Sequence, residues 1–268
     1  MLKVGAVAAA VLVLVAIAGS GAMKATTEEP REPEFSVFRP SETVPGNPAV
    51  IAIHGGSWQH GDGGKMRRVG KAIAAAGFVV FHVKYTYATE TRAGYPRQVN
   101  DIRRAIRHIR EHADDFGIDP RRIGAIGSSS GAHLVGLLAT QGRGSLESGG
   151  RVRAAVTWSA PFDLRRLRTH NFSPGIRKFL GCYPRWCRKK AKRGSPLTYV
   201  SRGDPPMLIA HGRGEIFPTR QARAMARRLA KAGVPHRLRL LGGGRHGMNY
   251  ADVMTDESIE FFHEQLAD

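Results

Sequence analysis

The most distinctive chemical feature of the sequence is a serine placed between glycines. Residues 127–131 read Gly-Ser-Ser-Ser-Gly and match the pattern G-x-S-x-G, with Ser129 at the centre. The apolar run 123–126 predicts a strand before this motif, and residues 132–139 predict a helix after it. A tight strand-to-helix turn exposes such a serine hydroxyl beyond the edge of the sheet. The sequence therefore predicts that Ser129 is a nucleophile; the alternative is a Gly/Ser turn that only caps a helix.

A second glycine motif has the composition of an oxyanion hole. Residues 54–58 read His-Gly-Gly-Ser-Trp and directly follow the apolar run 49–53. Acyl transfer builds negative charge on a carbonyl oxygen, and preorganised backbone N–H groups must meet that charge. Glycines allow the backbone to approach the oxygen closely. We therefore predict that the N–H groups of Gly55, Gly56 and Ser130 form the oxyanion hole.

Two side chains beside these glycines have separate interpretations. Trp58 is predicted to contact the substrate, and the alternative is a tryptophan that packs beside a glycine turn. His54 stands directly at the end of the preceding strand, so we interpret it as structural and not as the catalytic base.

The general base is expected late in the chain, because the acid and then the histidine follow the nucleophile in this type of triad. His246 lies in the glycine-rich run 242–247, after a strand predicted at 237–241. In that position it could accept the Ser129 proton and later donate it to the leaving group. Other histidines lie inside or beside predicted elements, where a surface or core role is favoured; these are His82, His108, His112, His133, His236 and His263.

The acid that orients the histidine should follow the preceding strand, which is predicted at 206–210. Residues 211–215 come next, and Glu215 is the only carboxylate among them. Glu is an accepted third member of such triads, so we predict that Glu215 orients His246. The alternative is a surface glutamate, with Asp204 or Asp252 in its place.

The elements that would position these residues alternate between strand and helix. The clearest helix is residues 97–116, where apolar residues recur at spacings of three and four. This alternation predicts an α/β fold, with a mostly parallel sheet and helices on both faces. The further predicted strands are 35–38, 78–85 and 152–159, and the further predicted helices are 65–75, 220–232 and 256–266.

Residues 161–200 interrupt the alternation with a basic stretch that is punctuated by proline and glycine. This stretch is too long for a plain connection, so it predicts an irregular, cap-like insertion. The only two cysteines, Cys182 and Cys187, lie within it. In an exported protein such a pair indicates a disulfide, and two free thiols are the alternative. No further ligands accompany the cysteines, so no metal site is expected.

The N-terminus has the pattern of a targeting segment. One lysine precedes an almost wholly apolar run at residues 4–19, which is followed by small residues. Residues 1–23 are therefore predicted to be a secretory signal peptide or an uncleaved membrane anchor, which places the protein outside the cytoplasm. Residues 24–40 are predicted to be a linker and the first strand, and residues 41–268 the catalytic domain.

The chain is strongly basic, with 41 lysines and arginines against 22 acidic residues and a net charge of +19. The basic residues are scattered, and no nucleic-acid-binding motif accompanies them, so no nucleic-acid partner is expected. A solvated basic surface is the favoured interpretation, and weak association with an anionic cell surface is the alternative.

Taken together, these motifs resemble the α/β-hydrolase esterases of the hormone-sensitive-lipase and acetyl/feruloyl-esterase groups, from about Phe35 to the C-terminus. The resemblance depends on the motifs given above and on five more, which are Phe35 to Pro40, Tyr95-Pro96, Gly117 to Pro120, Ser195 to Val200 and His211-Gly212. It implies a serine esterase that acts on short acyl esters without a cofactor. It also implies that the two cysteines lie in an insertion near the pocket.

The sequence departs from the usual pattern of these esterases in three places. The family usually has aspartate where Glu215 stands, and here Phe217-Pro218 follows one residue early, so the acid loop is shorter. Ser57 replaces a third glycine that some relatives carry. The segment before Phe35 is brief, so an early edge strand is expected to be absent.

Three hypotheses about function follow from the sequence. The favoured one is a carboxylesterase that hydrolyses short acetyl or aromatic acyl esters, either small molecules or acylated polysaccharides. An amide hydrolase, such as an arylformamidase or a peptidase, could use the same triad. The third is a catalytically impaired hydrolase fold that binds an anionic surface polymer, which the shortened acid loop and the positive charge would favour.

Overall fold

The computed structural model divides the chain into two units, Met1–Glu32 and Pro33–Asp268. The structure describes residues 32–42, 44–62, 64–142, 144–167 and 173–267. The predicted signal peptide or anchor lies outside these residues. Among the described residues, no helix combines the length and the apolar character needed to cross a bilayer.

A seven-stranded sheet with the order β1-β3-β2-β4-β5-β6-β7 forms the centre of the second unit. β1 pairs with β3 in the antiparallel direction, and all the other neighbours are parallel. The strands are β1 Phe35–Phe38, β2 Asn47–Ile53, β3 Val79–Val83, β4 Ile118–Ser128, β5 Ala154–Trp158, β6 Met207–Gly212 and β7 His236–Leu241. The predicted α/β fold with a mostly parallel sheet is confirmed.

Helices cover both faces of the sheet, which explains why the central strands are nearly continuous apolar runs. Met225 and Leu229 of one helix join the core on one face, and Met254 and Phe262 of another join the core on the opposite face. The helices are α1 Lys65–Ala75, α2 Arg97–Glu111, α3 Ala113–Phe116, α4 Ser130–Thr140, α5 Ser173–Leu180, α6 Arg188–Arg193, α7 Arg220–Ala232 and α8 Ala251–Gln265. Every residue of α4 is buried, so the helix that follows Ser129 is fixed on all sides.

Two regions differ in character from the sequence prediction, and other elements differ at their ends: α8 begins at Ala251 and not at residue 256, and β4 begins at Ile118 and not at residue 123. The single helix predicted at 97–116 is divided into α2 and α3, because His112 leaves helical geometry with φ −109° and ψ 27°. The insertion at 161–200 is more regular than predicted, since it contains α5 and α6 and the short 3-10 turns Leu164–Arg166 and Pro196–Thr198.

The predicted disulfide between Cys182 and Cys187 is confirmed, and it joins the end of α5 to the start of α6. The two cysteines are five positions apart in sequence. A loop this short loses little chain entropy on closure, so the bond should stabilise the fold by only about 2 kcal/mol. Its local effect is to hold the turn between the two helices of the insertion.

Candidate active site

Ser129 occupies a sharp turn between β4, which ends at Ser128, and α4, which begins at Ser130. Its backbone has φ 55° and ψ −118°, a conformation that L-residues rarely adopt. The turn needs glycine on both sides. A Cβ on Gly127 would lie 2.5 Å from the Gly131 carbonyl carbon, and a Cβ on Gly131 would overlap the Ile53 carbonyl oxygen.

The Ser129 hydroxyl meets the ring of His246, which in turn meets a carboxylate. His246 Nε2 lies 2.8 Å from Ser129 Oγ, and His246 Nδ1 lies 3.0 Å from Glu215 Oε2. The three side chains come from the ends of β4, β6 and β7, at the carboxyl edge of the sheet. This is the edge where parallel α/β sheets place ligands. The structure therefore brings together the three residues that the sequence predicted as nucleophile, acid and base.

The Glu215 carboxylate lies between two histidine rings. Its side chain is fully buried, and Oε1 lies 2.7 Å from His211 Nε2 while Oε2 accepts from His246. His211 Nε2 also lies 2.9 Å from the Phe217 carbonyl oxygen. Burial raises the pKa of Glu215, but hydrogen bonds from His211, His246 and Ser159 outweigh burial and hold the pKa below its usual value. Glu215 is therefore ionised at neutral pH and can stabilise a protonated His246.

The two alternative acids are engaged elsewhere. Asp204 closes a local turn, where it accepts from the amide and the hydroxyl of Ser201. Asp252 is exposed and pairs with Arg245 at 2.8 Å. Neither carboxylate contacts His246, so Glu215 is the acid that the geometry favours.

The predicted oxyanion loop lies directly against the serine turn. A Cβ on Gly55 would lie 3.0 Å from the Ser128 carbonyl oxygen and 3.4 Å from Ser129 Cβ. Ser130 is the first residue of α4, so its N–H has no acceptor within that helix. The N–H groups of Gly55, Gly56 and Ser130 are therefore carried by segments that meet at Ser129, as an oxyanion hole requires.

The Trp58 side chain, which was predicted to contact the substrate, is buried in this structure, and this favours the packing alternative. Trp58 is 1% exposed, and its ring packs against Phe179 at a centroid distance of 5.1 Å. Gly56, Ser57 and Trp58 all have positive φ, and this run of left-handed backbone accompanies the inward direction of the indole. Trp58 is thus a packing residue beneath the oxyanion loop, which was the alternative interpretation.

A buried histidine connects Trp58 to the helix that follows the nucleophile. Trp58 Nε1 donates to His133 Nδ1 at 3.3 Å, and His133 Nε2 lies 2.8 Å from the Gly194 carbonyl oxygen. Burial lowers the pKa of His133 to about 4, so the ring is neutral at neutral pH. An indole N–H can only donate, so Nδ1 accepts and Nε2–H donates to Gly194. The oxyanion loop, α4 and the insertion are therefore joined by one hydrogen-bonded chain.

His54 does not take part in the triad. It is buried, its ring stacks on Tyr85 at 4.6 Å, and burial lowers its pKa. The Tyr85 hydroxyl donates to the His54 carbonyl oxygen at 3.2 Å. His54 therefore stabilises the strand end from which the glycine loop departs.

Ser159 and His211 are parts of the site that the sequence motifs did not predict. Ser159 follows β5 with φ 59°, and its hydroxyl accepts from the Gly247 amide at 2.8 Å, next to His246. His211 ends β6 and contacts Glu215. Both follow or end a strand at the carboxyl edge of the sheet, as the predicted catalytic residues do. That position, applied to every polar residue at such a strand end, is the signal that could have found them.

Replacing Gly56 by alanine should damage catalysis much more than folding. An alanine Cβ would overlap the His60 carbonyl oxygen, at a residue whose φ is +119°, so the loop would have to move. Displacing oxyanion donors should lower kcat about 10²–10³-fold. Ester turnover, measured with thermal unfolding on the same sample, tests this expectation.

Gly46→Ala is the matched control, because Gly46 also has a positive φ of +81° but no atom within 4 Å of the added Cβ. It should show the cost of backbone strain without a change in kcat. Equal kcat in the two variants would contradict the role of the Gly56 loop.

A parallel sheet with a serine at a strand-to-helix turn, followed in chain order by a carboxylate and a histidine, defines the α/β-hydrolase class. Among the described residues, no cluster of three or more His, Cys, Asp or Glu side chains is placed to bind a metal. The chain belongs to the BD-FAE family, whose model matches residues 35–229. The resemblance to the esterase groups of this fold is thereby confirmed.

Curated relatives and solved structures carry related descriptions. The chain is 28% identical over 194 residues to a probable carboxylic ester hydrolase, LipM, of Mycobacterium tuberculosis, which covers 68% of this chain and 44% of the relative. It is 30% identical to esterase LipC of the same organism, and the match covers 75% of this chain and 55% of LipC. The chain thus spans about half the length of these relatives.

Two solved structures match over almost their whole length. A truncated carbohydrate esterase from gut microbiota is 27% identical with a TM-score of 0.76, and 87% of this chain and 90% of that chain are covered. A butyrate-bound esterase from Thermogutta terrifontis is 26% identical with a TM-score of 0.71. The match covers 87% of this chain and 89% of that chain.

Proposed function

We propose that the protein is a serine esterase that hydrolyses short-chain acyl esters through an acyl-enzyme. The observation that carries this proposal is the hydrogen-bonded line from Ser129 Oγ through His246 to Glu215, with distances of 2.8 and 3.0 Å. This hydrogen-bonded chain lies beside Gly55 and Gly56, whose N–H groups can bind an oxyanion. The shortened acid loop, which had suggested an impaired enzyme, is compatible with catalysis because the longer Glu215 side chain reaches His246.

The proposed reaction has two steps of similar chemistry. Ser129 Oγ gives its proton to His246 Nε2 and bonds to the ester carbonyl carbon, and the carbonyl oxygen becomes an oxyanion held by the loop N–H groups. The bond between that carbon and the alcohol oxygen then breaks, and His246 returns the proton to the leaving alcohol. Water, activated by the same histidine, releases the acid and restores Ser129.

The short-chain preference is supported by the position of the insertion. A Cβ on Gly175 of α5 would lie 3.2 Å from both the Cβ and the carbonyl oxygen of Ser57, so this helix packs against the oxyanion loop. We expect that packing to limit the acyl pocket. Solved relatives bind butyrate or are called carbohydrate esterases, which favours acetyl to butyryl esters, including esters carried on sugars.

We further propose that the enzyme acts outside the cytoplasm. The apolar run at residues 4–19 has the pattern of a signal peptide or anchor. The Cys182–Cys187 disulfide is the kind of bond that persists in oxidising compartments.

A series of p-nitrophenyl esters from acetate to laurate tests the proposed substrate class. We expect kcat/KM to be highest between acetate and butyrate and to fall about tenfold or more by octanoate, because a closed pocket rejects extra methylenes. A burst of p-nitrophenol equal to the enzyme concentration would report the acyl-enzyme.

The matched amide, p-nitroacetanilide, is the control for the amide-hydrolase alternative. The proposal predicts far slower turnover of this amide than of the acetate ester. Faster amide turnover, or no ester turnover by folded protein, would reject it.

A further inference from the structure

A groove outside the candidate active site is lined mainly by cationic side chains. It lies between α6, the 3-10 turn Pro196–Thr198 and the second half of α7. Its volume is about 530 Å³, within the ~300–1,000 Å³ of typical ligand sites. We call it the basic groove, and its five charged residues are Arg165, Lys192, Arg227, Arg228 and Lys231.

The part of the chain that forms this groove is unusually poor in acidic residues. Between Leu164 and Ala251 there are 21 lysines and arginines but only two acidic residues, Asp204 and Glu215. Asp204 is held in the turn with Ser201, and Glu215 is buried against two histidines. Neither carboxylate lines the groove, so neither balances its charge.

Most of the groove cations also lack an ion-pair partner. Arg165 pairs with Asp163 at 2.8 Å. Lys192, Arg227, Arg228 and Lys231 are exposed, and within the described part of the chain no acidic side chain forms an ion pair with them. By contrast, arginines in and near β7 do have partners in α8, as in the pairs Arg237–Glu264 and Arg239–Glu257.

Lys231 is close to two other cations on the surface of α7. Arg227 and Arg228 precede Lys231 by four and three positions in α7, and like charges at these spacings destabilise a helix. A bound anion would remove this repulsion. The arrangement is therefore better suited to a protein with an anion in the groove than to one without.

The remaining lining residues indicate the kind of anion. Leu197 and Ala224 supply small apolar surfaces that suit the C–H groups of a sugar ring. The Thr198 hydroxyl donates its proton to the Lys192 carbonyl oxygen at 2.8 Å, so its oxygen can accept from a sugar hydroxyl. Guanidinium groups bind carboxylates and phosphates through two parallel hydrogen bonds. The groove lining contains no aromatic ring on which a nucleobase could stack and no exposed large apolar residue that could enter a membrane.

We propose that the basic groove binds a linear polysaccharide whose sugars carry carboxylates. The proposal does not depend on the esterase assignment, because none of the groove residues belongs to the candidate active site. Binding to the groove would hold the protein on an acidic polymer whether or not that polymer carries the ester.

Fluorescence anisotropy with labelled polygalacturonate, which carries no ester, tests the proposal at about 0.15 M salt. The wild-type protein should bind polygalacturonate and should not bind neutral dextran. The triple variant Arg227→Gln/Arg228→Gln/Lys231→Gln should bind about tenfold or more weakly, with a shallower dependence of log Kd on log salt, because fewer counterions are released. Turnover of p-nitrophenyl acetate should not change, which shows that the variant is folded.

The matched control is Lys65→Gln/Arg68→Gln/Lys71→Gln, which removes the same charge from exposed positions of α1 on the opposite face of the sheet. This control should bind within about twofold of the wild-type protein, since a distant surface charge adds little. Equal losses in both triple variants would show a net-charge effect and overturn the proposal. Absence of binding by the wild-type protein, or tighter binding to duplex DNA or phosphatidylserine vesicles than to polygalacturonate, would also overturn it.

Discussion

Ser129→Ala should lower kcat for p-nitrophenyl acetate by about 10⁶-fold, since removing the nucleophile of a comparable triad has an effect of this size. The residual rate would come from the oxyanion hole and from substrate binding. The variant should fold normally, because alanine preserves the backbone contacts of the turn. These contacts include the bond from the Ser129 amide to the Trp158 carbonyl oxygen at 2.8 Å.

Three consecutive serines make a second readout necessary. A fluorophosphonate should modify Ser129 and leave Ser128 and Ser130 unmodified, because only Ser129 Oγ lies 2.8 Å from His246 Nε2. Ser128→Ala is the matched control, and it should retain most of the activity. An adduct on a neighbouring serine, or a Ser129→Ala variant with normal turnover, would contradict the assignment of the nucleophile.

Local patterns in the sequence were sufficient for much of the fold. The helix predicted at 65–75 and the strand predicted at 35–38 have the same limits in the structure, as α1 and β1. Each of these two elements has either a clear apolar periodicity or a glycine or proline at its boundary. The insertion was predicted to be irregular because α5 and α6 are short and begin next to Pro174 and the disulfide, where periodicity has too few residues to show.

Ser129, Glu215 and His246 could be predicted together from their order in the chain, because each follows a predicted strand. The carboxyl ends of parallel strands meet at one edge of the sheet. The direction of Trp58 depended instead on left-handed backbone at Ser57 and Trp58, which residue types other than glycine do not signal. Ser159 was missed for a different reason. Its role depends on the pairing of β5 with β6, seen in the Ser159 amide donating to the Ala210 carbonyl oxygen at 2.8 Å. Such pairing between distant segments cannot be read from local spacing.

Glu215→Gln should lower kcat by about 10⁴-fold, less than the loss of Ser129 but far more than a surface change. The substitution preserves shape, but it removes the charge that stabilises protonated His246. A glutamine amide could also donate to His246 Nδ1, which would favour the tautomer whose Nε2 carries a proton and cannot accept one from Ser129. The matched control is Asp252→Asn, which removes an exposed carboxylate paired with Arg245 and should leave kcat nearly unchanged.

The pH dependence of the free energy of unfolding gives an independent test of whether Glu215 is ionised in the folded protein. The pKa of Glu215 is lowered in the folded protein, so its ionised form stabilises the fold above the pKa of an unfolded glutamate. That contribution should disappear as the pH falls through the lowered folded-state pKa. The difference in free energy of unfolding between the wild-type protein and Glu215→Gln should therefore be smaller in strong acid, where Glu215 is protonated, than at neutral pH. A difference that is as large in strong acid as at neutral pH would contradict the lowered pKa of Glu215.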